Sequence, residues 1–569
     1  MPNMTSTLGR WTRLPAVAAL LGCALLAGCQ SSTTVSATGN TAAQFTHVFL
    51  TINQIWFNTS ASAGFNDTSW VKFPLATPQT IDLVTLNNGT LSQFASDLKL
   101  TAGTYDQVMV ILADSTDALS SSAQTAGAAT NDEVDYIDTS DVAHTVPLAI
   151  LNAAEGISIG TSLTVSAASS SIAGASAASS TASTSSTATL GGTVSTTAAI
   201  VDFDATRDLV PISLSGQPAF ALNPHPQTYN VSDSGTIQGA VSLTGVSVLT
   251  DAGNPDVQVS AEALSSDGTR HVIVATTRVG SDGTFVLYPL STASGAPSSY
   301  DLVIHGPAIQ TVIVKSVPVT NSAPGSTAAV LGTLTLTAAT PYLVNINTSS
   351  PAAPMSSLVG FYQTLPLSSE VPYLVEVRAV DPTSGVFASA QVLSAGALQY
   401  GTYTSGTISL TAVNPSQGAA SYAIGAINPA YGTATLGTTV TAPADLTTTA
   451  LFTMTAPPVP TGSTANAIQG TVSVASSGYD NAELFLTYNG ALVAAAPLTS
   501  YLGRSQSTLS LSALAPGGSA GTTYAPGVYY AEIWAWNSTN PSGTLTRIPY
   551  GSTIDMSAGN ATGVALTIN

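Results

Sequence analysis

The sequence predicts an all-β protein in which tandem β-sandwich modules follow a short N-terminal leader. Three observations favour this fold class. Runs of about five to eight residues rich in β-branched side chains recur along the chain, and Gly, Pro, Asn and Asp separate them. Helical periodicity is nearly absent, and the best helical signal is a single short turn. The length of 569 residues suggests three to five domains, each large enough to bury a core.

The first element is a leader over residues 1–28. Arg10 and Arg13 precede an apolar stretch from Pro15 to Leu26, which is the pattern of a secretory signal that is removed from the mature chain. About 12 apolar residues fall well short of the roughly 20 that span a bilayer as a helix. The sequence therefore predicts a cleaved signal peptide and not a transmembrane anchor.

The end of this leader, Leu26-Ala27-Gly28-Cys29, resembles the lipobox of bacterial lipoproteins. The resemblance implies diacylation of Cys29, cleavage before it, and acylation of the new N-terminus with a fatty acid such as palmitate. Gln30 follows the cysteine where Asp would imply retention in the inner membrane. We therefore expect a protein anchored by lipid in the outer membrane, on its periplasmic or its surface-exposed face.

Charge and cysteine content exclude several classes of function. Without Arg10 and Arg13 the chain keeps 9 basic against 30 acidic residues, a formal charge of −21. A chain this acidic offers few cations to displace the counterions of nucleic acid, and anionic lipid repels it. The membrane contact should therefore depend on the lipid. Cys29 is the only cysteine beyond the leader, so no disulfide is expected.

The next elements are a tether and a first domain. Residues 29–43 are rich in Ser, Thr and Ala, which predicts a flexible tether. Residues 44–228 carry a series of strand patterns and predict one β domain. The tract 166–189 is almost purely Ser, Ala and Thr, and we interpret it as a disordered loop within that domain.

Several segments of the first domain follow the pattern of a known family. They are Ile52 and Ile55 in the opening strand, Ile81-Asp82-Leu83, Leu100 to Gln107, Val201 to Ala205, and Leu222-Asn223-Pro224. With these segments, residues 44–228 resemble a bacterial lipoprotein domain known only as domain of unknown function family 4382. The resemblance implies a cellular location and a β fold, but no activity.

Three further modules are expected. Residues 229–345 look like a carboxypeptidase-regulatory or prealbumin-like β-sandwich; residues 346–457 and 458–569 look Ig-like by strand spacing. One internal repeat supports this division, because Ile237 to Ser242 (IQGAVS) recurs as Ile468 to Ser473 (IQGTVS). The segments that carry the prealbumin-like resemblance are Gly239-Ala240-Val241, Val257-Gln258-Val259, Gly280 to Phe285 and Tyr300 to Ile304.

Catalytic motifs are weak in this sequence. Gly-X-Ser-X-Gly occurs around Ser158 and Ser519, but a nucleophile elbow needs a strand before the serine and a helix after it. The histidines are scattered singly, and no lysine follows a glycine as a phosphate-binding loop requires. We expect no enzymatic activity and no cofactor.

Two segments are candidate binding sites. Asp132, Asp135, Asp138 and Asp141 lie in an acidic run and are candidate ligands for Ca²⁺, which prefers oxygen donors; the alternative is a solvated acidic hairpin. Tyr530, Trp534 and Trp536 share one face of a strand pattern and are a candidate sugar-binding platform. We expect these aromatics to fill the core of their own sandwich, and the sugar-binding platform stays the alternative because Glu532 shares their face.

These patterns predict a non-catalytic, membrane-anchored lipoprotein with a structural, adhesive or ligand-binding role. Its expected partners are the membrane, through the lipid, and a glycan or an envelope protein. The first alternative is a carbohydrate-binding surface protein that uses the C-terminal aromatic face. The second is an enzyme whose site the motifs miss.

Overall fold

The structure is a computed structural model, and it confirms an all-β fold of tandem β-sandwich modules. It describes residues 30–138, 141–151, 153, 156–166, 196–214, 217–224, 226–246, 250–251, 254–324, 330–344, 358–379, 391–394, 396–413, 420–428, 432–433, 439–442, 468–474, 478–488, 491–502, 507–510, 528–537, 546–549, 552–555 and 561–568. In this part of the chain, no helix has the length and apolar character that crossing a membrane requires.

The N-terminal domain is a sandwich of a four-stranded and an eight-stranded sheet. The strands are β1 (Gln30–Asn40), β2 (Phe45–Asn58), β3 (Val71–Asp82), β4 (Ser92–Thr101), β5 (Gly103–Leu112), β6 (Glu133–Ile137), β7 (Ala143–Ile150), β8 (Ile157–Val165), β9 (Thr196–Asp204), β10 (Leu209–Leu214), β11 (Gln217–Leu222) and β12 (Gln227–Asn230). Two short helices, α1 (Ser121–Ala126) and α2 (Ala205–Asp208), and the 3-10 turns Leu83–Leu86 and Val231–Asp233 connect them.

The smaller sheet has the order β12-β9-β1-β4, and the larger has the order β10-β11-β7-β6-β2-β5-β8 with β3 on β2. Their facing sides form one apolar core. In β2 the buried positions run through Leu50 and Ile52 and then shift to Ile55 and Phe57, because a register irregularity lies between Ile52 and Gln54.

The expected tether over residues 29–43 is wrong for its described part, because residues 30–40 form β1 inside the smaller sheet. This strand pairs with β4 on one side and β9 on the other. Its inward positions alternate, and Ser31, Thr33, Val35 and Ala37 are fully or almost fully buried. Small hydroxyl side chains made the segment look like a linker, yet they alternate with the period of two that a half-buried strand needs.

The second module holds β13 (Ser234–Ser242), β14 (Thr250–Asp251), β15 (Asn254–Pro255), β16 (Gln258–Leu264), β17 (His271–Arg278), β18 (Thr284–Ser291), β19 (Ser299–His305), β20 (Val312–Pro318) and β21 (Val330–Thr335). Its sheet β18-β13-β21 packs on the sheet β17-β16-β19-β20, and their facing apolar residues form its core.

The third part holds β22 (Pro341–Val344), β23 (Leu358–Gln363), β24 (Tyr373–Ala379), β25 (Gln391–Ser394), β26 (Gln399–Thr402), β27 (Thr411–Ala412), β28 (Ala420–Asn428), β29 (Gly432–Thr433) and β30 (Thr439–Ala442). It is not separate from the second module, because β26 pairs in parallel with β20 and extends that sheet. Its sheet β24-β23-β28 also packs on the outer face of the same sheet, where Val303 and Ile313 contact Phe361 and Tyr422 in one apolar cluster.

The fourth module holds β31 (Ile468–Val474), β32 (Asn481–Tyr488), β33 (Ala491–Pro497), β34 (Ser507–Ser510), β35 (Val528–Trp536), β36 (Thr546–Pro549), β37 (Ile554–Asp555) and β38 (Ala561–Ile568), with the 3-10 turn Thr499–Tyr501. Its sheets are β34-β31-β38 and β33-β32-β35-β36, with β37 on β35.

The six-residue repeat occupies the same place in two modules. β13 and β31 are each the central strand of a three-stranded sheet, with one antiparallel and one parallel neighbour. The shared glycines, Gly239 and Gly470, lie where the register with the parallel neighbour shifts. A Cβ atom at Gly470 would approach the Val564 carbonyl oxygen to 1.7 Å. Close backbone approach therefore requires a glycine at position 470, whereas at Gly239 a Cβ atom would lie 2.8 Å from the Phe285 ring.

Candidate functional site

The proposed lipidation site lies outside the described residues, because Cys29 directly precedes the first described residue. What the structure adds is the position of its neighbour: Gln30 is the first residue of β1 and is paired with Thr101 of β4.

The acidic run does not converge on one point. Asp132 is fully buried, and its Oδ1 accepts a hydrogen bond of 2.8 Å from the backbone N–H of Thr51. Burial raises the pKa of Asp132 well above its usual range. Glu133 is also buried, and its carboxylate accepts from the backbone N–H groups of Ala129 and Thr130. Through these hydrogen bonds, the two buried carboxyl groups hold the start of β6 in place.

Asp138 and Asp141 belong to the turn between β6 and β7. The Asp138 carboxylate accepts from the Val142 N–H at 3.0 Å and lies 2.8 Å from His144 Nε2. Asp141 has a left-handed backbone with φ of 59°.

A shared calcium site at Asp132, Asp135, Asp138 and Asp141 is therefore not what the structure builds. Only Asp135 lies within β6, whereas Asp132 precedes that strand and Asp138 and Asp141 follow it in the turn, so the four carboxylates do not share one strand face. Within the described ranges, no three His, Cys, Asp or Glu side chains are placed to hold a metal ion.

The C-terminal aromatics are buried, but not in the core of their own module. Tyr529, Ala531 and Ile533 of β35 face that core, which leaves the even-numbered residues on the outer side of the sheet. Trp534 is 0 % exposed and Trp536 is 3 % exposed. The expectation that these tryptophans fill the module's own core is therefore wrong, and Tyr530 remains half-buried beside them.

The N-terminal domain covers these tryptophans. Phe485, Leu492, Trp534 and Trp536, hereafter the Trp534 face, form one apolar cluster with the outer side of the larger N-terminal sheet. Phe485 and Trp534 meet edge to face with ring centroids 6.1 Å apart. The residues that the N-terminal domain contributes to the cluster are Ala149, Ile212, Ala219 and Ala221.

An ion-pair network lies at the edge of this contact. Arg547 Nη2 lies 2.6 Å from Glu532 Oε2, and Arg547 Nη1 lies 2.5 Å from Asp114 Oδ2 of the N-terminal domain. The Trp534 indole N–H also donates to Glu532. Burial opposes the Arg547 charge, but the hydrogen bonds and charges of both carboxylates outweigh burial and raise the pKa of Arg547. Glu532, which looked misplaced on an aromatic face, is thus the buried partner of a cation.

The N-terminal domain also contacts the second module through polar side chains. Asn40 Nδ2 donates to Thr276 Oγ1 at 2.8 Å, and the Thr276 hydroxyl donates to Asp204 at 3.2 Å. The Arg278 guanidinium donates to the Ala42 carbonyl at 3.3 Å. The second module is therefore held against the first by specific hydrogen bonds.

A small polar pocket lies where the second and third parts meet. It is lined by His305, Thr311, Glu376, Ser394 and Tyr422, among others. His305 Nδ1 lies 3.2 Å from Glu376 Oε2, and the Tyr422 hydroxyl donates to the Ser394 carbonyl at 2.8 Å. Burial raises the pKa of Tyr422 to about 12. Because His305 of the second module lies against Glu376 of the third part, the pocket belongs to the contact between the two parts.

Sequence reasoning missed both the ion-pair network and this pocket. Their residues are separated by tens to hundreds of positions and carry no local motif. The one weak signal was Glu532, a charge on an otherwise apolar strand face.

The Gly-X-Ser-X-Gly motif that lies within the described residues lacks the surroundings that a catalytic serine requires. Ser158 lies within β8 and is exposed, and the strand continues through Gly160 to Val165. The copy around Ser519 lies outside the described residues. A nucleophile elbow requires a strand-to-helix turn, which β8 does not provide.

The comparisons with known proteins agree with the expected first domain. A model of the family "Domain of unknown function (DUF4382)" matches residues 31–224. The match begins at the start of β1, so the region that is similar to this family includes the strand whose composition predicts a tether. A search of curated proteins finds no match to this chain.

Two solved structures show weak similarity. The FN1-FN3 domains of chicken CNTN1 share 10 % identity, over 52 % of this chain and 88 % of that one, with a TM-score of 0.09. The streptococcal ancillary pilin shares 10 % identity, over 59 % of this chain and 98 % of that one, with a TM-score of 0.13. Neither score supports an argument about fold or function.

Proposed function

We propose that this protein is a non-catalytic lipoprotein of the outer membrane whose β modules form one structural or adhesive body. The observation that carries the proposal is the contact between its first and last modules. The Trp534 face and the bridge from Arg547 to Asp114 join segments more than 260 residues apart. Because the first and last modules contact each other, the modules present a surface of fixed shape, which suits a structural or adhesive role.

The proposed anchor is the lipid on Cys29. The motif Leu26-Ala27-Gly28-Cys29 supports it, and the acidic composition leaves electrostatics unable to hold the chain on an anionic membrane. We expect wild-type protein to incorporate a radioactive fatty acid and to fractionate with the outer membrane. Cys29→Ala should lose both properties, and labelling of this variant would refute the anchor.

Whether the cellular role needs the contact between the first and last modules is tested in cells. A strain that lacks the protein should show altered adhesion or altered resistance to detergent, and wild-type protein should restore the phenotype. Trp534→Ala, which removes the central contact of the Trp534 face, should be anchored normally but should restore it poorly. Full restoration by this variant would show that the joined arrangement is not what the cell uses.

The carbohydrate-binding alternative loses its strongest support, because Trp534 and Trp536 are covered by the N-terminal domain. Sugar platforms stack ligands on exposed rings. We therefore expect wild-type protein to give no signal on a glycan array that depends on Trp534. A signal abolished by Trp534→Ala in folded protein would reinstate the alternative.

A further inference from the structure

The start of β24 is bonded to the second module along its free edge. Among the described strands, β24 pairs only with β23, so the N–H and C=O groups on its other side need partners elsewhere. The second module supplies two of them. The backbone N–H of His271 donates to the Pro372 carbonyl at 2.8 Å, and the Leu374 N–H donates to Oε2 of Glu262 at 3.1 Å. A side-chain carboxyl thus takes the place of a neighbouring strand.

This carboxyl is buried, and no cation of the described residues bonds to it. Glu262 is 1 % exposed, and in this part of the chain its hydrogen-bonding partners are the Leu374 N–H and the Ser260 hydroxyl, 3.3 Å from Oε1. The charge that acts on it is the like charge of Asp301, directly opposite on β19. Burial outweighs the Leu374 hydrogen bond and raises the pKa of Glu262 well above its usual range.

The protonated form of Glu262 satisfies every polar atom of this contact. Oε2 accepts from the Leu374 N–H, and the O–H on Oε1 donates to Ser260 Oγ. The Ser260 hydroxyl then donates to the Val303 carbonyl, 3.4 Å away. An ionised Glu262 would hold a full charge in the same buried position, which is strongly unfavourable when no cation pairs with it.

The elements packed around Glu262 carry further titratable and charged groups. They are Asp301 of β19, Lys315 of β20, His271 of β17 and Arg270 before it, Tyr362 of β23, Tyr373 of β24, and Glu370 in the loop before β24. Lys315 pairs with Glu370, and the Tyr373 hydroxyl donates to Asp301 at 2.8 Å, so these groups bond to one another. Burial raises the pKa of Tyr373 above its usual range and that of Tyr362 to about 12, so both stay protonated near neutral pH. Burial lowers the pKa of His271, which opposes the closed arrangement only in acid.

We propose that Glu262 is a pH-dependent latch: its protonated carboxyl holds the start of β24 on the second module, and its ionisation lets that start open to water. An opened carboxyl titrates near the ordinary Glu pKa of about 4.3. The latch is therefore complete below about pH 4, and between that pH and the raised pKa of the closed form each pH unit favours opening about tenfold. The apolar cluster around Phe361 and Tyr422 holds the remainder of the sheet, so the opening is confined to the start of β24.

Hydrogen–deuterium exchange of the full chain without its leader measures this opening in peptides that contain the Leu374 amide. Exchange is followed from about pH 5 to about pH 8, which lies above the ordinary Glu pKa. Glu262→Gln retains an acceptor for the Leu374 N–H but carries no titrating group. Asp267→Asn, in the turn between β16 and β17, is the matched control, because it removes an exposed carboxyl from the same hairpin.

We expect the protection of Leu374 in wild-type protein, relative to Glu262→Gln at the same pH, to fall about tenfold per pH unit over the lower part of this range. Comparison at equal pH cancels the contribution of His271 and the intrinsic pH dependence of exchange. Asp267→Asn should behave as wild type, and peptides of β28 should show no such fall.

The same pH dependence in wild type and in Glu262→Gln would overturn the proposal. An equal fall of protection in β28 would also overturn it, because the ionisation would then open the whole sheet. If Glu262→Gln does not fold, the wild-type protein decides by itself: after correction for the intrinsic rate, a protection of Leu374 that depends on pH no more than that of β28 would refute the latch.

Discussion

The Trp534 face should be a contact between modules, and substitutions on either side of it should have the same effect. Trp534 is fully buried, with the N-terminal domain on one side and Phe485 beside it. Replacing a buried Trp by Ala typically costs about 3–5 kcal/mol. Because the N-terminal sheet supplies much of the burial, Trp534→Ala should separate the modules while the core behind β35 stays packed.

The partner substitution is Ala221→Glu. Ala221 is fully buried on the outer side of the N-terminal sheet, and its neighbour Phe220 points into the domain core. The cation at the edge of this contact, Arg547, already pairs with Glu532 and Asp114, and leaving a further carboxylate buried costs several kcal/mol. We expect the contact to open, so that the carboxylate reaches water. Ala143→Glu, at an exposed position of the same sheet, is the matched control.

Hydrogen–deuterium exchange of the full chain without its leader is the assay. Both Trp534→Ala and Ala221→Glu should speed exchange in peptides covering β11 and β35, whereas Ala143→Glu should leave both at the wild-type rate. If Trp534→Ala unfolds the fourth module while Ala221→Glu changes nothing, Trp534 belongs to the core of its own module. That result would refute the contact.

Three other predictions concern stability. Gly470→Ala should cost about 1–3 kcal/mol in denaturant unfolding because its Cβ would overlap a neighbouring strand, while Gly160→Ala, with no atom within 4 Å, should be neutral. Arg547→Met should cost about 3–5 kcal/mol by leaving Glu532 buried without its cation, and adding Glu532→Gln should recover most of the loss in calorimetry. Burial raises the pKa of the Asp202 carboxyl from 3.8 to about 8, and a neighbouring carboxylate adds to this shift. The folded protein therefore favours the protonated carboxyl. Its contribution to the free energy of unfolding is complete below about pH 4 and is lost as the pH rises through 8. Asp202→Asn should flatten that part of the profile of melting temperature against pH.

The fold class could be predicted because strand periodicity is a local signal. The six-residue repeat also proved structural, since both copies are central strands with one parallel neighbour. The tether was mispredicted because composition was weighed above alternation: Ser31, Thr33, Val35 and Ala37 alternate as a strand does, but three of the four are small enough to suit a linker.

The candidate sites depended on partners that no local pattern reveals. Alternation correctly placed Trp534 and Trp536 on one face, but which surface covers that face is decided by β11, some 300 residues earlier. The acidic run was misjudged for a different reason, because Asp132 precedes β6 and points inward while Asp138 lies in the following turn.

Charges are scarce in this chain, at 7 % of its residues, and several of them lie where modules meet. Arg547 joins the first and fourth modules, Arg278 joins the first and second, and Lys315 pairs with Glu370 between the second and third parts. Apolar contacts tolerate sliding and rotation, whereas a buried ion pair is stable only in one geometry. We infer that these charges fix the orientation of the modules more than they add to stability. Replacing Arg547 and Glu532 together by apolar residues should then preserve the melting temperature while allowing the fourth module more than one orientation, which distance measurements between spin labels on the two modules would detect.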